Sequence, residues 1–248
     1  MAAPPWRIVA HDVLPSTNEA ARQLALAGDP GGVAVVAAAQ TAGRGRRGRT
    51  WASPRGGLYI SAVVRPSVPA EAAGLLPLAA GLALARAVED EGLTPQLRWP
   101  NDVDIDGRKV GGVLCESQFR LDGRGLAWAV VGLGLNVDPP PEALAQVGGT
   151  SLAAAGGPTR DPRALVEPVL GHLAAAITLA EIAPTELLAS WAKRAPMLGA
   201  GAAVVVTTAR GPIQGIAAGL APGGALRVAT GTGVVEVTDP ELIQLVRP

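Results

Sequence analysis

The sequence predicts an α+β fold, in which helices accompany a largely antiparallel or mixed β-sheet and a small C-terminal β-barrel follows. Helical segments and apolar strands alternate in the first part of the chain, and three strands then follow one another. After position 196, short β-rich runs alternate with turns rich in glycine and proline, which is typical of a barrel of about 50 residues. We therefore expect one domain over 1–196 and a small one over 197–248.

The first predicted element is a helix that begins at a capping box. The hydroxyl of Ser16 is expected to cap this helix and Glu19 to reach back to the cap, and good helix formers continue to Ala27. The next predicted elements are strands over 33–39 and 58–64 and a long helix over 71–91.

The middle of the chain is predicted to form a β-hairpin. Runs over 97–105 and 108–117 flank Asp106-Gly107, a dipeptide that favours a two-residue turn. A further apolar strand is predicted over 126–137, and two helices that start with proline over 162–181 and 184–193. The predicted strands of the tail are 202–208, 213–220, 226–230 and 234–237.

Composition excludes several classes of protein. The 248 residues are 48% hydrophobic and carry a formal net charge of zero, so a full core is expected and no overall attraction to nucleic acid or to an anionic membrane. The segment 1–7 lacks the basic start and apolar run of a secretion signal, and no apolar run approaches the roughly 20 residues of a membrane span. One cysteine and two histidines leave no internal disulfide and no zinc cluster. We expect a cytoplasmic protein with no membrane partner and no metal held by dedicated protein ligands.

The segment 43–49 contains four arginines and three glycines directly after a predicted strand. Glycines let backbone N–H groups approach a ligand, and guanidinium groups pair with phosphate or carboxylate oxygens, so the segment predicts an anion-binding loop. A merely solvated loop is the plain alternative. A dinucleotide-binding turn is disfavoured because no helix opens after Arg49, and RNA binding is disfavoured because the surrounding domain is neutral.

The predicted hairpin places a carboxylate and an ammonium group at the same end of the sheet. Asp102 ends one strand and Lys109 begins the next, and Lys193 is the only other lysine in the chain. Gly111 and Gly112 weaken that strand unless a ligand or backbone passes close to it. A solvent-facing lysine is the plain alternative to a shared site.

A third apolar strand also contains two glycines. Gly132 and Gly134 precede Asn136. Glycines at these positions would allow a ligand to approach the strand closely, and a bulged strand is the alternative interpretation. Asparagine occurs only at 18, 101 and 136, each time inside one of these segments.

The motifs together resemble the catalytic core of the biotin protein ligases. The resemblance covers 16–137 and comprises S-T-N at 16–18, Q-x-x-G-R-G-R-x-G-R at 40–49, Trp51, W-P-N-D at 99–102, K-x-G-G at 109–112 and G-x-G-x-N at 132–136. It implies a mixed sheet with helices on one side and an SH3-like C-terminal domain. It also implies ATP-dependent activation of biotin to biotinyl-5′-AMP, followed by transfer to a lysine of a biotin carboxyl carrier protein domain of a carboxylase.

Residue roles follow from the same resemblance. It implies a biotin site formed by Ser16, Thr17, Asn18, Gln40, Gly43, Arg44, Gly45, Arg46, Lys109, Gly111, Gly112 and Gly134. It implies a nucleotide site formed by Arg47, Gly48, Arg49, Trp51, Asn101 and Asn136, with Mg²⁺ arriving on the ATP. Lys109 and Arg46 would bind the carboxylate and phosphate oxygens, and Asp102 would orient or deprotonate the acceptor lysine.

The chain departs from the family pattern in three places. Arg98 stands in place of a lysine before W-P-N-D, and Pro15 stands where an acidic residue often precedes S-T-N. S-T-N begins at 16, which leaves no room for the N-terminal DNA-binding domain of members that also repress transcription. We therefore expect a monofunctional ligase with no DNA partner, and its oligomeric state stays open.

Two competing functions remain. A lipoate or octanoate ligase or transferase shares the fold, but the complete arginine loop is the biotin-type feature. A protein that only binds biotin or its adenylate is disfavoured because both Asp102 and Lys109 are present.

Overall fold

The structure is a computed structural model that describes residues 6–145, 148–158, 160–199 and 201–246. The first five residues, on which the expected lack of a secretion signal partly rests, lie outside the described residues, as does part of each predicted domain.

Helices and strands follow one another from residue 7 to residue 192. In order they are β1 (Arg7–Leu14), α1 (Thr17–Leu26), β2 (Val33–Gln40), β3 (Gly57–Val64), α2 (Leu75–Asp90), β4 (Gln96–Arg98), β5 (Asp102–Ile105), β6 (Arg108–Phe119), β7 (Leu126–Asn136), α3 (Pro141–Ala145), α4 (Val166–Ile182) and α5 (Pro184–Ala192). The tail contains β8 (Ala203–Thr208), β9 (Gly211–Leu220), β10 (Leu226–Thr230), β11 (Gly233–Val237) and β12 (Leu242–Val246).

The first seven strands form one mixed sheet, as the sequence predicts. Its order is β1-β2-β3-β7-β6-β5-β4, with β1 and β2 parallel and the other neighbours antiparallel. The sequence analysis did not predict β1. This edge strand is mostly exposed, so no alternation of apolar and polar residues marks it, and its backbone pairing with β2 holds it in place.

Successive residues of β2 point to opposite faces of this sheet. Ala34 and Val36 join the main core, which also contains α2, α4 and α5. Val33 and Val35 instead join a smaller cluster with α1. Helices α2, α4 and α5 thus share one face, as the resemblance implies, whereas α1 lies on the other.

Two helical spans, Ala70–Asp90 and Pro162–Ile182, are long and apolar enough to cross a membrane by length and composition. They pack against each other through α2 and α4, with 67% and 44% of their most apolar windows buried in the protein. A helix that is covered on several sides inside a protein core is also apolar around most of its circumference, because those sides are removed from water.

The hairpin forms as predicted, but one of its strands is interrupted. Asp106 and Gly107 both have positive φ, at 50° and 73°, as a two-residue hairpin turn requires. The predicted strand 97–105 is divided into β4 and β5, because Pro100 has no amide hydrogen for a ladder and Trp99 turns into the core.

The tail forms a five-stranded antiparallel sheet in the order β11-β10-β9-β8-β12. Four of its strands are predicted from the sequence. The fifth, β12, was missed because its residues are largely exposed and show no alternating burial. This sheet contacts the first part of the chain where Trp99 Nε1 donates to the carbonyl of Gly224 at 3.0 Å.

Candidate functional site

A cavity of about 400 Å³ lies against strands β3, β7 and β6, beside the N-terminal end of α1. The segment that follows β2 and the turn between β11 and β12 complete its wall. It therefore draws together every motif that the sequence analysis singled out.

The end of the cavity beside α1 is a network of buried hydroxyls and amides. Ser16 caps α1 by accepting from the Glu19 amide at 3.4 Å, whereas the Glu19 carboxylate binds Arg22 and Gln23 and does not reach back to the cap. The capping-box prediction is thus right for Ser16 and wrong for Glu19, because the long carboxylate finds partners one turn further along the helix.

Gln40 joins this network to the segment that follows β2. Its Oε1 accepts from the backbone amide of Thr17 at 2.7 Å, and its Nε2 donates to Ser53 Oγ at 2.8 Å. Ser61, which is fully buried on β3, lies 2.7 Å from Thr17 Oγ1 and 2.6 Å from Asn18 Oδ1. The result is a fixed set of donors and acceptors at one end of the cavity.

Carboxylates bind Arg44 and Arg46 of the arginine loop at 43–49. Arg44 pairs with Glu116 at 3.2 Å and Glu19 at 3.5 Å. Arg46 pairs with Asp239 of the C-terminal sheet at 2.6 Å and donates to Asn101 Oδ1 at 3.2 Å.

Arg47 and Arg49 differ in their access to the cavity. Arg47 pairs with Asp239 at 2.7 Å and Glu241 at 3.2 Å and does not reach the cavity wall. Arg49 lines the cavity and, within the described ranges, has no carboxylate partner within 4.0 Å. Its Nε donates to the Arg46 carbonyl at 3.5 Å, and because none of the described carboxylates neutralises it, its guanidinium can bind an anionic ligand.

Lys109 and Asp102 meet at the cavity wall, as predicted from the hairpin. Lys109 Nζ lies 2.5 Å from Asp102 Oδ1 and 5.0 Å from the ring centroid of Trp51. Arg98 approaches the other oxygen of Asp102 at 3.3 Å. Arg98 also pairs with Asp104 at 3.2 Å, so two cations and two carboxylates form one charge network at the cavity wall.

Three glycines make room for neighbouring side chains. A Cβ at Gly132 would lie 2.0 Å from Asn18 Oδ1, one at Gly134 2.8 Å from Trp51 Nε1, and one at Gly112 3.2 Å from Lys109 Nζ. The close approach predicted at these positions is therefore made by side chains of the protein itself.

The order of these contacts along β7 gives the cavity a direction. Asn18 lies at Gly132, Trp51 at Gly134, and the amide of Asn136 donates to Thr150 at 3.0 Å. At roughly 3.4 Å per residue, these positions span about 14 Å. Gly112 pairs with Gly134, so Lys109 stands midway between the hydroxyl-amide end and the Asn136 end.

Trp51 has a buried hydrogen-bond donor with no acceptor in the part of the chain that the structure describes. Its Nε1 is buried and has no partner among the described residues. A buried donor without an acceptor is costly, so this group is suited to a ligand or an ordered water.

Most of the predicted site residues line the cavity. They are Ser16, Thr17, Asn18, Gln40, Arg44, Gly45, Arg46, Arg49, Trp51, Asn101, Asp102, Lys109, Gly112, Gly134 and Asn136. Gly43, Arg47, Gly48 and Gly111 do not. Gly111 faces α2, where a Cβ would lie 3.6 Å from Leu84, and a Cβ at Gly43 would lie 2.3 Å from the Trp51 carbonyl.

The sequence analysis missed several residues of the site, above all Ser61, Glu116 and Asp239. The period of two along β6 could have found Glu116, because it puts Gly112, Leu114 and Glu116 on one face. No local pattern marks Ser61 or Asp239, which reach the site only through the packing of distant segments.

A dedicated metal centre is not found in the described part of the chain, where no group of three or more His, Cys, Asp or Glu residues is placed to hold an ion.

Cys115 should be unreactive in the folded protein. It is partly buried against the core, and this burial, reinforced by the nearby charge of Glu116, raises the pKa of its thiol to about 12. Because the thiolate is the nucleophile, we expect iodoacetamide at pH 8 to leave the native protein unmodified and to alkylate it after unfolding in guanidinium. Mass spectrometry before and after unfolding checks this, and rapid alkylation of the native protein would contradict it.

Comparisons with known proteins agree with this geometry. A family model described as the biotin/lipoate A/B protein ligase family matches residues 10–136. The bifunctional ligase/repressor BirA of Bacillus subtilis is 32% identical over 95% of this chain and 73% of that protein. The biotin–[acetyl-CoA-carboxylase] ligase of Paracoccus denitrificans is 35% identical over 85% of this chain and 89% of that protein.

Solved structures extend the match to nearly the whole chain. The biotin protein ligase of Aquifex aeolicus, solved in complex with biotin and ATP, aligns with a TM-score of 0.78 and 29% identity over 98% of this chain and 99% of that one. That of Leishmania major, in complex with biotinyl-5-AMP, aligns with a TM-score of 0.65 and 28% identity over 96% and 100%. The chain therefore belongs to the biotin/lipoate A/B protein ligase family, among its biotin protein ligases.

Proposed function

We propose that this enzyme activates biotin with ATP to biotinyl-5′-AMP and transfers the biotinyl group to a lysine of a biotin carboxyl carrier protein domain. The observation that carries the proposal is the Lys109–Asp102 pair, held midway along a cavity between a hydroxyl-amide network and an arginine loop. Adenylation needs a fixed cation, and transfer needs a base, at the same place in the cavity.

The hydroxyl-amide end suits the ureido head of biotin. Gln40 is hydrogen-bonded to Thr17 and Ser53, and Asn18 is hydrogen-bonded to Ser61. A neutral polar head would therefore meet donors and acceptors that are already in position. Biotin bound there would direct its carboxylate along β7 toward Lys109. We assign the opposite end, with Asn101, Asn136 and Arg49, to the nucleotide.

In the first step, a carboxylate oxygen of biotin attacks the α-phosphorus of ATP and pyrophosphate leaves. Negative charge concentrates on the phosphoryl oxygens in the transition state, and fixed cations stabilise it without reorganisation. Lys109 and Arg49 supply that charge, and Arg46 adds to it from its position beside Asn101.

In the second step, the amine of the acceptor lysine attacks the acyl carbon of the adenylate and AMP leaves. The amine must lose a proton, and the carboxylate of Asp102, which lines the cavity beside Lys109, can accept it. Its contact with Lys109 holds it at the reacting centre.

The remaining assignments follow from the same proposal. Mg²⁺ would enter with the phosphates of ATP, and the acceptor would be the carrier domain of a carboxylase. We also propose a cytoplasmic enzyme in which 1–196 carries the chemistry and 197–248 forms the small domain, which reaches the arginine loop through Asp239.

The direct test is incorporation of labelled biotin into a biotin carboxyl carrier domain, with ATP and Mg²⁺ present. We expect labelling that requires ATP and an intact acceptor lysine. A parallel reaction with labelled lipoate tests the competing activity, since that function predicts lipoate incorporation instead. Tight binding of biotin without any transfer would indicate a binder and overturn the proposal.

Gly132→Ala should weaken biotin binding while leaving the protein folded. The new Cβ would lie 2.0 Å from Asn18 Oδ1, so Asn18 must move and lose its contact with Ser61. Loss of one well-placed hydrogen bond predicts a dissociation constant for biotin that is higher by about tenfold or more. Isothermal titration calorimetry measures it.

Gly171→Ala is the matched control, because Gly171 lies on α4 with no atom within 4 Å of the new Cβ. Alanine should raise helix stability there by about 0.5–1 kcal/mol and leave biotin affinity unchanged. Equal affinity of the two variants for biotin would argue against the place assigned to Asn18.

A further inference from the structure

Glu116 lies behind the cavity wall and contacts two of its parts at once. It stands on β6 opposite Val130, on the same face as Gly112 and Leu114, and does not itself line the cavity. One carboxylate oxygen accepts from Asn18 Nδ2 at 3.0 Å, and the other pairs with Arg44 Nη2 at 3.2 Å. One side chain thus joins the start of α1 to the arginine loop.

The contacts of Asn18 leave its amide only one orientation. Asn18 is 5% exposed, its Nδ2 donates to Glu116 and to the Leu114 carbonyl, and its Oδ1 faces Ser61 at 2.6 Å. A charged acceptor forms the stronger of such hydrogen bonds, so Glu116 provides the main constraint on the amino group.

The same carboxylate also fixes Arg44. The side chain of Arg44 is 47% exposed, and its partners are Glu116, which is 24% exposed, and Glu19, which is 40% exposed. The less exposed partner holds the guanidinium more firmly because water screens it less. Arg44 is thereby directed toward α1 and away from the anion-binding part of the loop.

We propose that Glu116 is a positioning residue that locks Asn18 and Arg44 into one ligand-binding arrangement and so couples the biotin end of the cavity to the arginine loop. The proposal rests on the proposed function, since it assigns Asn18 and Arg44 to the biotin end. It concerns a residue that touches neither substrate and acts through two that line the site.

Three variants separate the two contacts. Glu116→Ala removes both. Glu116→Gln keeps an acceptor oxygen for Asn18 but removes the charge that holds Arg44. Glu186→Gln is the matched control, because Glu186 is exposed on α5, away from the cavity.

We expect Glu116→Ala to raise the KM for biotin by about tenfold or more, the scale for a buried donor left without its partner. The KM for ATP should change little, because Asn101 and Asn136 keep their contacts. Glu116→Gln should raise the KM for biotin by less. Unfolding temperatures measured for all variants separate this selective effect from general loss of stability.

Two further readouts test the mechanism of positioning. If Glu116 acts through Asn18, Glu116→Ala should have little added effect on biotin affinity in an Asn18→Ala background. If it holds the loop, both Glu116 variants should be cleaved faster by trypsin after the arginines at 44–49, even with biotin bound.

The results decide between the inference and the proposed function on which it rests. Unchanged KM for biotin and unchanged trypsin cleavage in Glu116→Ala would overturn the inference while the wild-type enzyme still labels its carrier. Fully additive effects with Asn18→Ala, or equal rises in both KM values, would overturn it too. A wild-type protein that neither binds nor transfers biotin would refute the proposed function, and the inference with it.

Discussion

Replacing Lys109 with alanine is expected to lower the rate of biotin adenylation by about 10²- to 10³-fold, the scale for removing one preorganised charge-stabilising donor. Lys109 stands midway along the cavity, paired with Asp102 at 2.5 Å and 5.0 Å from the centre of the Trp51 ring. Biotin-dependent exchange of labelled pyrophosphate into ATP measures the step without any carrier protein.

The chain supplies a matched control for this substitution. Lys193 is the other lysine of the sequence, and it lies at the C-terminal end of α5, away from the cavity wall. Lys193→Ala should exchange pyrophosphate at the wild-type rate. An equally active Lys109→Ala would remove Lys109 from the first step.

The second large effect is expected on the transfer step, from replacing Asp102, the proposed base. Asp102→Asn should slow transfer from preformed biotinyl-5′-AMP to the carrier lysine by about 10²- to 10⁴-fold, because an amide does not accept the proton of the attacking amine. The adenylation rate should fall less, since the amide keeps the shape of the carboxylate and Lys109 keeps its charge. Single-turnover transfer, followed over a range of pH, measures the effect.

Asp104→Asn serves as the control for Asp102. Asp104 also pairs with Arg98, at 3.2 Å, but it does not line the cavity. Burial raises the pKa of its carboxyl group, so the neutral asparagine should be tolerated there. Transfer that is slowed equally by both substitutions would point to Arg98 or to the strand itself as the sensitive element.

The sequence predicted the parts of the fold that carry a local pattern. The apolar runs of β2, β3 and β7 are buried strands, and the two positive-φ residues of the hairpin turn follow Asp106-Gly107. β1 and β12 carry no such pattern because they are exposed edge strands, so only pairing with a neighbour defines them.

The candidate site divides in the same way. Residue type and spacing indicated Lys109, Asp102 and the arginine loop, because a short hairpin brings the first two together and the loop is one continuous segment. The same reasoning treated the four arginines alike. In the structure, Arg44 is held by Glu116, Arg46 and Arg47 by Asp239, and Arg49 lines the cavity without a carboxylate partner among the described residues.

The sequence by itself determined the family, the mixed sheet and the small C-terminal β-sheet domain, because each depends on motifs or on periodicity within a few residues. Only the tertiary structure decided which face α1 covers, which glycine faces the cavity, and which carboxylate holds each arginine. Asp239 lies 193 positions after Arg46 and Glu116 lies 98 after Asn18, and no local pattern encodes contacts over such separations. They arise when the two sheets and α1 pack, and that packing makes one cavity of the separate motifs.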